Sequence, residues 1–91
     1  ITGGGLDNIN RVNDNFQYVI DNPLPVPSVF DWLQEKGSIE TKEMYRTFNM
    51  GMGMIIIVDK AEAKKSVSIL GKHAQVVGSV ENGKGVNHSA F

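Results

Sequence analysis

At 91 residues, with nine basic and ten acidic side chains and a formal net charge of -1, the chain has room for one modest core but not for separate nucleotide and substrate scaffolds. Neither sign of charge collects in a run, which argues against nucleic acid as a partner. The chain has no cysteine and its longest apolar run is Met54 to Val58, so disulfide scaffolds, thiolate metal sites and a membrane partner are not expected, and the cytoplasm is the expected compartment.

In chain order, Thr2-Gly3-Gly4-Gly5 comes first. The chain starts at Ile1 with no methionine, and a ligand-facing glycine loop normally has an upstream strand or turn to set its angle, so the sequence reads as a fragment. Leu6, Ile9 and Val12 then recur at helical spacing among Asp7, Asn8, Asn10 and Arg11. This predicts a short amphipathic helix that opens in the glycines and ends near Asn13-Asp14-Asn15. Phe16, Tyr18 and Ile20 alternate with Gln17 and Val19 as a brief strand. Prolines 23, 25 and 27 force an extended crossing, because each fixes its own φ and disfavours helix in the residue before it.

Pro27 suits the first position of a helix with Val29, Phe30, Trp32 and Leu33 on its apolar face, stopped by Gly37. Ser38 or Thr41 is the expected cap of a second helix, with Met44, Tyr45 and Phe48 inward. Ile55-Ile56-Ile57-Val58 lacks polar alternation, the pattern of a strand covered on both faces. Ala63, Val67 and Leu70 line one side of a helix from Ala61 to Leu70, closed by Gly71. A last strand from Gln75 to Val80 leads to Asn82-Gly83, a tight-hairpin signal with Val86 on the return. The expected architecture is a single α+β domain over residues 1–91, a small, mostly antiparallel or mixed sheet with helices packed on one face.

Two segments could carry chemistry. Three residues without Cβ in Thr2-Gly3-Gly4-Gly5 let backbone N–H groups approach an anion closely, and the helix start adds the positive end of its dipole. In Tyr45-Arg46-Thr47-Phe48-Asn49-Met50-Gly51-Met52-Gly53-Met54, Arg46 can fork onto a phosphate or carboxylate and Asn49 can read an amide or hydroxyl. The plain alternatives are a tight turn for the glycines, a solvated Arg46, and core methionines beside a bulge. His73 and His88 read as surface groups, Trp32 as core, and Asp21 and Asp31 as capping or solvated residues. No metal cluster, P-loop or nucleophile elbow is encoded.

Ile1 to Leu6, Asn8 to Val12, Val26-Pro27 with Phe30 and Trp32-Leu33, and above all Glu43 to Met54, resemble the C-terminal half of the aminoimidazole ribonucleotide synthetase family, also called phosphoribosylformylglycinamidine cyclo-ligases. The resemblance runs to about Val80; the tail from Gly83 to Phe91 matches no family pattern and reads as an altered last strand or a frayed end. It implies an ATP-dependent, magnesium-dependent ring closure of formylglycinamidine ribonucleotide to aminoimidazole ribonucleotide, ADP and phosphate in purine biosynthesis. It also implies a two-domain homodimer whose N-terminal domain holds most ATP and metal contacts, with this chain as one wall of the substrate cleft. Thr2, Gly3, Gly4 and Gly5 then become the substrate-phosphate loop, Arg46 and Asn49 positioning or electrostatic residues, and no metal ligand or general base is assigned. The family usually has a histidine before the isoleucine of the glycine motif, a position outside this sequence. The competing readings are the related formylglycinamidine ribonucleotide synthase and a stand-alone binding module that has lost catalysis.

Overall fold

A computed structural model describes residues 1–89. A 3-10 helix spans Gly5–Arg11, followed by β1 (Phe16–Ile20), α1 (Ser28–Gly37), α2 (Thr41–Thr47), a single 3-10 turn (Lys60–Glu62), α3 (Ala63–Leu70), β2 (Gly78–Asn82) and β3 (Gly85–His88). The sheet is mixed, in the order β2-β1-β3. β1 runs antiparallel to β2, with Phe16 opposite Asn82 and Ile20 opposite Gly78. It runs parallel to β3, with Gln17 opposite Gly85 and Ile20 opposite His88. The α+β class expected from the sequence is therefore the one observed.

Alternation decides which face of β1 is buried: Tyr18 and Ile20 go inward. They join Leu6 and Ile9 of the first 3-10 helix, Met44 and Tyr45 of α2, and Met50 and Met52 in one hydrophobic cluster. Tyr18 satisfies its hydroxyl by donating to the carbonyl of Asn13 at 2.6 Å, the usual requirement for a buried phenol. Leu6, Ile9 and Val12 sit three residues apart, the period of a 3-10 rather than an α-helix, and the tighter winding carries Leu6 and Ile9 into the core together.

Several expectations fail in informative ways. Ile55 to Val58 lies outside any helix or strand, and Ile56, Ile57 and Val58 are exposed; no strand among the described residues covers it. The Asn82-Gly83 turn does not fold β3 back onto β2. Instead Gly83 (φ +134°) and Gly85 (φ +85°) carry the chain past the start of β1, so that consecutive strands flank it on opposite sides. α1 ends in left-handed Ser38 (φ 50°) rather than at Gly37, and the Ile39 N–H reaches back to the Gln34 carbonyl at 3.0 Å. That is a Schellman closure, set by Ile39 packing on the core. α2 follows Glu40 with no side-chain cap from Ser38 or Thr41. α3 starts at Ala63 because the turn before it winds as 3-10, and Leu70 is exposed. Trp32 is 57 % exposed rather than core.

His88 is a further correction: it is 1 % exposed, because alternation along β3 aims it inward, where its ring lies 4.6 Å from that of Tyr45. Burial pushes its imidazole below the ordinary value of 6.5, so the folded state holds it neutral while the unfolded chain can protonate it. Stability is then complete above pH 6.5 and is lost as the pH falls below it, with a slope of up to about 1.4 kcal/mol per pH unit from this group. Urea midpoints measured between pH 7.5 and 5.5 should fall for the wild type and stay nearly level for His88→Phe. Parallel slopes for the two proteins would discard this account.

Candidate functional site

The two segments singled out in the sequence, more than forty positions apart, meet in space. Gly5 lies against the C-terminal turn of α2 so closely that a Cβ there would sit 2.1 Å from the Tyr45 carbonyl oxygen and 3.1 Å from the Arg46 carbonyl carbon. The Asn49 side-chain amide donates to the Ile1 carbonyl at 3.0 Å and its oxygen accepts the Gly51 N–H at 2.9 Å. The Ile1 nitrogen in turn donates to the carbonyl of Gly53. The loop before the 3-10 helix and the turn after α2 are thus clamped to each other at three points.

The glycines divide the labour. Gly4 (φ +95°) and Gly5 (φ +61°) take left-handed conformations that other residues adopt at a cost, and Gly5 is buried. Gly3 has open space where a side chain would project, and Thr2, Gly3 and Gly4 are exposed. Asn8 fixes the loop from within: its amide nitrogen donates to the Gly3 carbonyl at 3.0 Å and to the Gly5 carbonyl at 2.8 Å. No loop signal in the sequence marks this role, although Asn8 four places after Gly4 is well placed for it. Asn8→Ala should cost about 1 to 2 kcal/mol, since both bonds are lost at once. Chemical denaturation would show it, and a change below 0.3 kcal/mol, smaller than a single net hydrogen bond, would mean that water replaces the amide without loss.

Arg46 stands on the outer face of α2, its side chain 74 % exposed and 3.6 Å from Glu43. An exposed pair of this kind is worth about 0 to 1 kcal/mol, so the guanidinium can change partner at little cost. With Lys42, Tyr45, Leu6 and Asp7 it borders a shallow cavity of about 100 Å³. This brings two cations to the flank of the glycine loop, beside the first turn of a helix whose leading N–H groups have no intrahelical acceptor. Asp7 in the lining and Glu43 beside Arg46 set two carboxylates against these two cations. Asn49, by contrast, spends a donor and its acceptor on the backbone, and acts on the site by holding the loop. Gly51 is needed for packing, since a Cβ there would lie 2.5 Å from Pro27 Cδ. Met50 and Met52 are buried and Met54 is 78 % exposed. Among the described residues no three His, Cys, Asp or Glu side chains gather as a metal site, and no helix is long and apolar enough to cross a membrane.

The family profile described as AIR synthase related protein, C-terminal domain, matches residues 1–90. The chain belongs to that family. The match takes in the tail from Gly83, for which the sequence alone offered no pattern. Among similar proteins, the chain is 49 % identical over 88 residues to a phosphoribosylformylglycinamidine cyclo-ligase of Methanopyrus kandleri, covering 94 % of the chain and 26 % of that protein. It is 53 % identical over 73 residues to the protein of the same name from Staphylococcus carnosus, covering 77 % and 21 %. With that of Methanocaldococcus jannaschii the identity is 44 % over 91 residues, covering 96 % and 26 %. The chain therefore spans about a quarter of the length of these curated relatives. In this member of the AIR synthase related family, the glycine loop and the turn after α2 are held as one unit.

Proposed function

We propose that this chain is the C-terminal part of a longer phosphoribosylformylglycinamidine cyclo-ligase, acting in de novo purine biosynthesis. In this reading the whole protein closes the imidazole ring of formylglycinamidine ribonucleotide at the expense of ATP, and the chain forms one wall of the substrate cleft. The observation that supports it is the clamp joining Thr2–Gly5 to the Arg46–Gly53 turn, seen in a chain with close relatives of that name. The backbone N–H groups of Thr2, Gly3 and Gly4, residues exposed on the loop, would receive the ribose phosphate, and Arg46 would fork onto that group or onto the phosphoryl in transfer. Asn49 would keep the two elements in register.

ATP and Mg²⁺ belong, in this reading, to the N-terminal domain of the same protein. The protein would work as a cytoplasmic homodimer. The test is direct: the full-length protein, purified and folded, should convert formylglycinamidine ribonucleotide to aminoimidazole ribonucleotide only when ATP and magnesium are supplied. Absence of ring closure at saturating substrate would sink the proposal.

A further inference from the structure

Asn82 is the one asparagine of the chain that precedes a glycine, and the fold sets that pair where water reaches it. Asn82 is the last residue of β2, an edge strand, and it pairs with Phe16, the first residue of β1, so the ladder ends there. Every residue from Ser79 to Lys84 is exposed. Among the described residues the Asn82 side-chain amide makes no hydrogen bond. Asn49 and Asn8 differ: the first is held by Ile1 and Gly51, and the second donates to the carbonyls of Gly3 and Gly5. Gly83 belongs to no strand and takes φ +134°, and with no Cβ it leaves its main-chain nitrogen open to close approach by the side chain before it.

We infer that Asn82 is a site of spontaneous deamidation, the position at which this protein ages by reaction with water. The Gly83 nitrogen gives its proton to solvent base and bonds to the Asn82 side-chain carbonyl carbon Cγ. The bond from Cγ to the amide nitrogen breaks, and that nitrogen leaves as ammonia, taking a proton from solvent. A five-membered succinimide remains. Water then opens the ring at one carbonyl or the other, giving aspartate at position 82 or isoaspartate, in which the main chain runs through Cγ. The sum is asparagine plus water to aspartate or isoaspartate plus ammonia, and no other reactant is needed. Either product sets a new carboxylate beside Glu81. Isoaspartate also adds a methylene to the main chain just before β3, whose register places Gly85 opposite Gln17 and His88 opposite Ile20. His88 is 1 % exposed, so a shift of β3 reaches the core. The chemistry is independent of the ring closure proposed above.

The experiment ages the full-length protein at mildly alkaline pH and physiological temperature, beside a free peptide of residues 73–84, the segment that tryptic cleavage at Lys72 and Lys84 releases. Mass spectrometry follows the gain of mass at Asn82, electron-transfer fragmentation separates isoaspartate from aspartate, and a zero-time sample corrects for conversion during digestion. Opening the end of an edge strand costs little, so Asn82 in the folded protein should convert within ~100-fold of the free peptide's rate. It should also convert ahead of Asn8 and Asn49, with isoaspartate among the products. Slower conversion than that, conversion at another asparagine of these residues first, or aspartate alone overturns the inference. The consequence for β3 has its own readout. The urea midpoint of the wild type should fall as isoaspartate accumulates, while that of Asn82→Ser, aged alongside, stays level. An unchanged midpoint in fully converted wild-type protein overturns that consequence. Should Asn82→Ser not fold, the midpoint of the wild type before and after ageing decides. Ring closure is assayed separately, so its absence bears on the functional proposal and not on this one.

Discussion

Gly5→Ala is expected to destabilise the protein by upward of about 3 kcal/mol, because two independent costs coincide. The first is conformational: φ is +61°, and an L side chain in the left-handed region costs about 1 to 2 kcal/mol. The second is steric, and larger. The new methyl would sit 2.1 Å from the Tyr45 carbonyl oxygen and 3.0 Å from that of Phe48, and these are backbone atoms that cannot swing aside. Either the end of α2 moves outward or the 3-10 helix is displaced, and both movements open the core at Leu6 and Met44, which are 1 % and 0 % exposed. Urea denaturation followed by circular dichroism measures the loss. Gly3→Ala provides the contrast. Nothing lies within 4 Å of its projected Cβ, so its stability should change by no more than about 0.5 kcal/mol. A methyl at Gly3 would, however, obstruct an anion on the loop, so in the full-length protein this variant should raise KM for the ribonucleotide while folding normally. A stable Gly5→Ala protein would disprove the close backbone approach.

The second large effect is on catalysis. In the full-length protein Arg46→Ala should lower kcat/KM by the equivalent of about 2 to 4 kcal/mol, the usual loss when a charged donor to a reacting or anchoring phosphate is removed. Its stability should be nearly unchanged, since the side chain is 74 % exposed and its ion pair with Glu43 is long. Arg46→Lys should fall between the two, keeping the charge but losing the planar fork. Steady-state kinetics with the ribonucleotide as the varied substrate settle the matter. If kcat/KM is unaltered, Arg46 is a solvated helix residue and the phosphate contact must come from elsewhere.

Local signals explain what could be read without the structure. Phe16 to Ile20 alternates cleanly and is β1 at those same bounds; Met44 and Tyr45 fall on the buried side of α2. Leu6, Ile9 and Val12 even held the winding of their helix, since a strict spacing of three is the 3-10 period. Beyond the helix ends, the failures are non-local. Ile55 to Val58 reads as an interior strand from its composition alone, and pairing, which composition does not encode, is missing among the described residues. Asn82-Gly83 has hairpin chemistry, but β1 competes for both flanking strands and takes one on each side. His88 reads as a surface group because a lone histidine has no periodic context, and only its register opposite Ile20 reveals that it points inward. At the candidate site, the residue types were legible while the division of roles was not. A glycine triplet looks uniform on paper, yet Gly5 serves packing and Gly3 leaves space. Asn49 has the chemistry of a substrate contact, and its hydrogen bonds go to Ile1 and Gly51.

The position of β1 at the centre of its sheet also sets the order in which this chain can fold. Ile20 is opposed by Gly78 on one side and by His88 on the other, so during synthesis β1 is made long before either neighbour exists. The 3-10 helix, α1 and α2 are closed by short-range contacts and can form early. The sheet must wait for the last dozen described residues, and it carries the loop-closure entropy of nearly the whole chain. On the ribosome the nascent domain therefore passes through a stage with both edges of β1 open and Tyr18 and Ile20 uncovered, the kind of species that aggregates or engages chaperones. Without Gly85–His88, β2 would still cover one side of β1 and the other edge would stay open.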